Sequence, residues 1–104
     1  MKILGVTACP TGIAHTYMAA EALTKACKKR GYEVKVETQG SIGVENKITA
    51  EDLKGVDVVI LSKDIAIKGK ERFEGIPVVN VKITDMIKNT DPLLDKVIKH
   101  IENM

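Results

Sequence analysis

The sequence contains few aromatic residues, and this scarcity limits the ligands that it can bind. Its 104 residues include no tryptophan, two tyrosines and one phenylalanine. Flat cofactors are commonly held by stacking against aromatic side chains. The composition therefore argues against a flavin-binding module.

A large charge of one sign and long apolar runs are also lacking. The formal net charge is only +2, so a nucleic-acid partner is not expected. The longest apolar stretches, such as Val56–Leu61, are far shorter than a bilayer span. The opening segment Lys2–Val6 is too short and too soon interrupted to be a signal peptide. We therefore expect a soluble, cytoplasmic protein.

Cysteine is scarce as well, with Cys9 and Cys27 as the two thiols. Cys27 is predicted to lie about three turns along a helix that Cys9 precedes, and at ~1.5 Å per residue a disulfide cannot span that separation. A thioredoxin-type redox site would need a second cysteine two residues beyond Pro10, and there is none. The two cysteines are therefore interpreted as independent thiols.

Apolar periodicity predicts one domain over residues 1–104 in which strands and helices alternate. Lys63–Gly75 is predicted to be a loop with a helical turn around Lys70–Phe73. The predicted strands are Lys2–Ala8, Tyr32–Gln39, Val56–Ser62 and Ile76–Val81. The first predicted helix is Thr16–Arg30, with Gly31 as its end. A short second helix is predicted to open with a capping box at Thr49–Asp52 and to end at Gly55, and a last helix has Asp91 as its N-cap.

This alternation predicts an α/β fold with a four-stranded parallel sheet of order 2-1-3-4 flanked by helices, flavodoxin-like or Rossmann-like. Tyr32–Gln39 alternates strictly between apolar and polar residues, which is typical of a sheet edge. In this order the chain leaves strand 1 to one side and later returns to the other. Ligands bind at such a switch point, beyond the carboxyl end of strand 1, which is where Cys9 follows.

The stretch Ala8–Thr16 has the pattern of a strand end, a phosphate-sized loop and a helix start. Free backbone N–H groups and the helix dipole at such a position stabilise a thiolate and any anion attached to it. Pro10 has no N–H, so the donors are expected from Thr11–Thr16, and Gly12 lets the backbone bend inward. The loop is therefore predicted to hold a phosphoryl group against Cys9. The alternative for Cys9 is a small buried apolar residue, which is our interpretation of Cys27.

Three side chains of this loop can act on a bound phosphoryl group. His15 can donate to a phosphoryl oxygen or transfer a proton, and it can equally hydrogen-bond the loop itself. The hydroxyls of Thr11 and Thr16 suit phosphate oxygens, but threonine near a helix start is often simply a cap. These alternatives stay open at the level of sequence.

Polar residues after strand 2 form a possible second wall of the site. Gln39, Gly40 and Ser41 follow on the same rim as Cys9, although Gly, Ser and Asn also satisfy turns without any function. For Ser41 both interpretations remain, whereas a turn is favoured for Asn46.

The segment after strand 3 offers one further candidate and a group of basic residues. Asp64 can act as a general acid, although a loop aspartate is usually solvated or capping. The basic residues can meet an acidic partner, although a solvated loop is the commoner meaning. They are Lys63, Lys68, Lys70 and Arg72.

Cys9–Thr16 reads CPTGIAHT, and Met18–Leu23 reads MAAEAL. Together they closely resemble the phosphocysteine loop of fructose-family IIB components of the bacterial sugar phosphotransferase system. The resemblance continues at Glu37–Gly43, Asn46, Asp64 and Arg72–Phe73. It implies that residues 1–104 form a IIB phosphocysteine domain with a small α/β fold.

The resemblance also implies a mechanism and partners. Cys9 would accept a phosphoryl group from a phosphohistidine of the IIA component and pass it to a sugar, fructose by default. That sugar is held by the membrane-embedded IIC component, through which the domain would sit at the inner face of the membrane. No metal or cofactor is implied, because the cysteine carries the phosphoryl group covalently and backbone N–H groups stabilise it.

The low-molecular-weight cysteine phosphatases are the alternative, since they use a similar strand, loop and helix with a Cys-x5-Arg motif and an aspartate acid. In this sequence His15 occupies the arginine position. Without a bidentate guanidinium, the transition state of ester hydrolysis loses its main clamp. A phosphoryl carrier is therefore favoured over a phosphatase.

Overall fold

The computed structural model describes residues 1–8, 13–40 and 43–103, with the side chains of Ile13 and Ala14 left aside. The strands are β1 (Lys2–Ala8), β2 (Glu33–Gly40), β3 (Gly43–Glu45), β4 (Val58–Ser62) and β5 (Val78–Val81). The α-helices are α1 (Ile13–Lys29), α2 (Ile83–Lys88) and α3 (Thr90–Glu102), and Lys70–Phe73 forms a 3₁₀ turn.

The strands form one five-stranded mixed sheet of order β3-β2-β1-β4-β5. Its parallel strands, β2-β1-β4-β5, stand in the predicted order. The prediction of four strands is wrong, because β3 pairs antiparallel with the end of β2, with Gly40 opposite Gly43. Part of the chain between the predicted strand Tyr32–Gln39 and the capping box at Thr49 therefore folds back on β2 as an edge strand.

All three α-helices pack on one face of the sheet, which we call the helix-covered face. Its core joins alternate residues of the strands, such as Ile3 and Ile60, to Leu23 of α1, Met86 of α2 and Leu94 of α3. At Gly5, a Cβ would stand only 2.8 Å from Cδ2 of Leu23. The absence of a side chain there lets α1 approach β1 closely.

The opposite face, which we call the loop-covered face, is covered by irregular chain. The other set of strand residues, such as Val6 and Leu61, packs against Ile48, Ile67 and Phe73. None of these three belongs to an α-helix. The prediction of a sheet flanked by helices therefore holds for one face only.

The predicted short helix after Thr49 is a series of turns. Thr49 and Asp52 do form the reciprocal bonds of a capping box, since the Thr49 N–H donates to Asp52 Oδ2 at 2.8 Å and the Asp52 N–H donates to Thr49 Oγ1 at 3.4 Å. The backbone bonds that follow join residues three apart, such as Lys54 N to Glu51 O, and Gly55 then adopts φ 71. The glycine ends the segment before any α-helical bond forms.

The predicted end of the first helix is confirmed. Gly31 has φ 77 and donates its N–H to Lys28 O, while Tyr32 N–H donates to Cys27 O. This pair of bonds satisfies the last carbonyls of α1. The 3₁₀ turn at Lys70–Phe73 matches the predicted helical turn.

The C-terminal helices differ from the prediction. Helix α2 was not predicted, and it leads directly into α3, which begins at Thr90 rather than after an Asp91 cap. The Asp91 carboxylate instead accepts a hydrogen bond from Arg30 at 3.2 Å. None of the helices among the described residues combines the length and the apolar composition of a transmembrane segment.

Candidate functional site

The carboxyl ends of the parallel strands meet at one edge of the sheet, as the alternation of strands and helices predicts. Ala8 at the end of β1 is in register with Gln39 of β2, and β4 ends beside them at Ser62. Cys9 follows Ala8 directly in the chain, and Ile13 begins α1. Cys9 and Pro10–Gly12 lie outside the described residues, so their predicted roles stay predictions.

The first turn of α1 offers an environment for an anion. It carries no acidic side chain, whereas Lys28 and Lys29 stand in the last turn. The N-terminal end of a helix has unpaired N–H groups and a positive partial charge, which favour an anion. His15 lies exposed in this turn and Thr16 is buried. Of the residues predicted to form the phosphate-binding loop, Ile13, Ala14, His15 and Thr16 instead make up the first turn of α1, which begins three residues before the predicted helix start at Thr16.

Two buried hydroxyls stand at the ends of the Cys9–Gly12 segment. The Ser62 hydroxyl accepts a hydrogen bond from the Ala8 N–H at 2.9 Å and donates to Ala8 O at 3.1 Å. The Thr7 hydroxyl donates to Thr16 O at 3.1 Å. The end of β1 is thus tied both to β4 and to the first turn of α1.

A buried ion pair lies under the loops beside β2. Glu37 is only 1% exposed, and its carboxylate accepts hydrogen bonds from both terminal nitrogens of Arg72, at 2.8 and 3.0 Å. The Ile48 N–H also donates to Glu37, at 2.8 Å. Arg72 donates further to Gly69 O at 2.8 Å and lies 4.9 Å from the ring centroid of Phe73. This bidentate pair fastens the segments around Ile48 and Gly69 to the sheet.

The contacts of this pair determine the pKa of Glu37. Burial by itself raises that pKa, but the hydrogen bonds from Arg72, Gln39 and the Ile48 amide outweigh burial and hold it below its ordinary value. The pKa of Arg72 is raised, chiefly by its hydrogen bond to Glu37. Both groups therefore stay charged at neutral pH.

Gln39, predicted as part of a second wall, braces the loop after β4. Its amide nitrogen donates to Glu37 Oε2 at 2.7 Å and to Lys68 O at 2.9 Å, and its oxygen accepts from the Lys68 N–H at 3.0 Å. Gly40 ends β2 in the pairing with β3. Ser41 lies outside the described residues, so its wall or turn role stays open. Asn46 has φ 53, the left-handed conformation expected for a turn.

The candidate residues after β4 differ in their contacts and in their exposure to solvent. Asp64 accepts a hydrogen bond from the Ile83 N–H at 2.8 Å and so caps α2, which matches the capping interpretation. Lys63, Lys68 and Lys70 are exposed, as expected of a solvated loop. The solvated-loop interpretation is wrong for Arg72, because its guanidinium forms an ion pair with the buried carboxylate of Glu37. No local sequence signal marks this pair, whose members are 35 residues apart.

Cys27 is a core residue, as predicted. It is fully buried within the helix-covered face, and burial raises the pKa of its thiol to about 11. Among the described residues, no cluster of His, Cys, Asp and Glu side chains could hold a metal ion.

Comparison with known proteins identifies the family. The model of a family described as "PTS system, Lactose/Cellobiose specific IIB subunit" matches residues 4–96. The "PTS system fructose-like EIIB component 2" of Escherichia coli K12 is 59% identical over 100 residues, which cover 96% of this chain and 94% of that protein. The chain belongs to the PTS IIB family.

Other relatives show where IIB domains occur. The E. coli "PTS system 2-O-alpha-mannosyl-D-glycerate-specific EIIABC component" is 47% identical over 94 residues, covering 90% of this chain but 14% of that protein. The solution structure of an E. coli K12 "Enzyme IIB subunit of PTS system" superimposes with a TM-score of 0.89 at 39% identity, covering 98% of this chain and 94% of that one.

These likenesses make the chain a fructose-family IIB component with a role in phosphoryl transfer within the sugar phosphotransferase system. The alternative of a cysteine phosphatase is not favoured. Because a homologous IIB domain forms part of an EIIABC protein, partnership with IIA and IIC components is supported in general terms.

Proposed function

We propose that Cys9 is the residue that carries the phosphoryl group, and that Pro10–Thr16, which include the first turn of α1, bind that group. The position of the Cys9–Gly12 segment in the chain supports this assignment. It connects the carboxyl end of β1 to the first turn of α1, which carries no acidic side chain. A thiolate or a phosphoryl group at a helix N-terminus gains from free N–H groups and from the dipole.

In the proposed reaction the Cys9 thiolate attacks the phosphorus of a phosphohistidine on IIA. A sulfur–phosphorus bond forms as the nitrogen–phosphorus bond breaks, and the imidazole leaves. A hydroxyl of the sugar on IIC then attacks phosphorus, the sulfur–phosphorus bond breaks, and the hydroxyl proton is released. A thiolate suits both steps because it is a strong nucleophile and a good leaving group. The proposed reaction uses no metal or other cofactor, so dialysis against a chelator should leave the transfer rate unchanged.

Fructose is the sugar that we propose. The support is the name of the 59% identical fructose-like relative, although other relatives are named for other sugars. Protein that carries a labelled phosphoryl group should transfer this group to fructose in the presence of membranes that contain the cognate IIC. Equal transfer to cellobiose, or transfer to cellobiose alone, would reject this specificity.

We propose that IIA docks on the rim formed by the Cys9 loop and residues 40–46. Exposed Val44 of β3 is in register with Gln39, which is itself in register with Ala8, so an apolar side chain stands on this rim. In NMR titrations with IIA, shift changes should centre on this rim. Changes confined to the opposite edge of the sheet would exclude it. Through IIC, we place the working protein at the cytoplasmic face of the membrane.

The experiment that tests the site is intact-mass analysis after incubation with phosphorylated IIA, followed by peptide mapping. The phosphoryl group should map to Cys9, Cys9→Ser should abolish acceptance, and Cys27→Ser should retain it, because the Cys27 thiol is buried and has its pKa raised to about 11. Equal behaviour of the two variants would refute the assignment.

A second experiment separates a carrier from a phosphatase. Asp64 is held by its bond to the Ile83 N–H, and His15 occupies the position of the phosphatase arginine. Phospho-Cys9 should therefore persist, and hydrolysis of p-nitrophenyl phosphate should be negligible. Appreciable hydrolysis that disappears in both Cys9→Ser and Asp64→Asn would favour a phosphatase instead.

A further inference from the structure

We propose that the buried hydroxyls of Thr7 and Ser62 are positioning residues for phosphoryl transfer, because they fix the chain on both sides of the Cys9–Gly12 segment. The inference rests on the proposed role of Cys9. Neither residue belongs to the predicted phosphate-binding loop, and the bonds that their hydroxyls make are side-chain bonds in addition to the strand pairing of Thr7 and Ser62.

Ser62 holds the residue that precedes Cys9. The ladder between β1 and β4 runs from Ile3 opposite Val58 to Val6 opposite Leu61. Beyond it, both backbone polar groups of Ala8 bond to the Ser62 hydroxyl, the N–H at 2.9 Å and the carbonyl at 3.1 Å. A side chain therefore fixes the peptide that leads into the thiol, and Ser62 is only 1% exposed.

Thr7 holds the other side of the segment. Its hydroxyl donates to the carbonyl of Thr16, which lies nine residues away in the first turn of α1, at 3.1 Å. A carbonyl oxygen has two lone pairs, so it can accept this bond in addition to a helical one. Thr7 is 0% exposed, and valine would fill nearly the same volume without the bond. The hydroxyl joins the end of β1 directly to the start of the helix.

The two contacts act on the geometry that the proposed reaction requires. Phosphoryl transfer depends on positioning and on preorganised donors, and a misplacement of about 1 Å can cost about a hundredfold in rate. Loss of either hydroxyl frees one end of the segment, which should make the proposed approach of the Cys9 thiol to the helix N–H groups less precise. Both side chains are buried and so are out of reach of a docked IIA, and the affinity for IIA should therefore not change.

The test uses Thr7→Val and Ser62→Ala in the full chain. The rate of transfer from phosphorylated IIA should fall by about ten- to a hundredfold in kcat, with KM within about twofold of wild type. Iodoacetamide labelling of Cys9 against pH, with peptide mapping to separate Cys27, should show a raised thiol pKa. Thr7→Ser keeps the hydroxyl and should retain wild-type kcat and thiol pKa.

Thr90→Val is the matched control. The Thr90 hydroxyl also donates to a backbone carbonyl, that of Met86 at 2.5 Å, but Thr90 is the first residue of α3 and lies outside the sheet. This variant should keep the wild-type kcat and thiol pKa even if its stability falls.

The outcomes are distinct. A wild-type protein that takes no phosphoryl group on Cys9 refutes the proposed function, whereas wild-type transfer with unchanged kcat and thiol pKa in Thr7→Val and Ser62→Ala refutes only the positioning role. Equal losses in Thr90→Val would also refute it, because they would reflect stability alone. If Thr7→Val does not fold, Ser62→Ala decides by the same criteria.

Discussion

The two faces of the sheet are closed by different physical means. The helix-covered face buries apolar side chains from α1, α2 and α3 against the strands. The loop-covered face has an apolar centre, but beside β2 it is closed by the Glu37–Arg72 pair and by Lys35 and Asp52, whose side chains meet at 2.7 Å. Turns and loops have unpaired backbone groups and little apolar surface, so charged side chains supply the fixed contacts that helices do not need here.

This difference bears on the site. On the helix-covered face, the start of α1 follows the Cys9–Gly12 segment and packing holds the helix in place. On the loop-covered face, Gln39 and Glu37 hold the loop around Lys68 at the same edge of the sheet. Of the two proposed walls of the site, one is thus built on packing and the other on a polar network, and the two should respond differently to mutation.

The largest effect is expected on the loop-covered face. Arg72→Met leaves the Glu37 carboxylate buried without its cation, which should lower the free energy of unfolding by about 4 kcal/mol. Urea denaturation measures it. Lys25→Met breaks the exposed Glu21–Lys25 pair and is the control, with no measurable loss expected. A small loss of stability in Arg72→Met would mean that the loops stay packed on the sheet without the Glu37–Arg72 ion pair.

On the helix-covered face, the expected loss of stability is somewhat smaller and depends on how closely the side chains pack. Leu23→Ala removes a fully buried side chain and should cost about 3 kcal/mol in the free energy of unfolding. Gly5→Ala should also destabilise, because its Cβ would lie 2.8 Å from Leu23 Cδ2. In the Leu23→Ala background that cost should largely disappear. Additive losses in a double-mutant cycle would contradict this contact.

The smallest expected effect concerns the pH dependence of stability, and it tests a charged contact of the loop-covered face. The hydrogen bond from Lys35, with that of the Thr49 amide, lowers the pKa of Asp52 to about 2. A carboxyl group with a lowered folded pKa stabilises the fold above its unfolded pKa, here 3.8, and loses that contribution as pH falls through the folded value. Asp52→Asn should therefore be less stable than wild type at neutral pH.

Thermal unfolding of Asp52→Asn and wild type at a series of pH values checks this prediction. The difference between their midpoints should be constant above about pH 5 and should shrink as the pH approaches 2. A difference that stays constant down to pH 2 would show that the Asp52 charge does not stabilise this face. The side-chain amide oxygen introduced by Asp52→Asn can still accept from the Thr49 N–H, so the comparison isolates the charge.

Local patterns in the sequence were enough to predict much of the fold. The apolar runs of β1 and β4, the helical spacing of Leu23 and Cys27, and Gly31 as the end of α1 all depend on residues close together in the chain. Parallel strands joined by crossovers then allow few orders, so the parallel core β2-β1-β4-β5 could be predicted. The same logic predicts that Cys9, which follows β1 in the chain, lies at the switch point.

Tertiary structure alone decided the features that depend on distant partners. Alternation along β2 predicted a sheet edge, but β3 pairs with the end of β2, and Glu37 on its polar side is buried because Arg72, 35 residues away, neutralises it under the loops. Ser62 and Ala8 are 54 residues apart, and Asp64 caps a helix that begins 19 residues later. A polar side chain in a sequence has many possible partners, and only the folded chain selects one of them and removes the water that would otherwise compete.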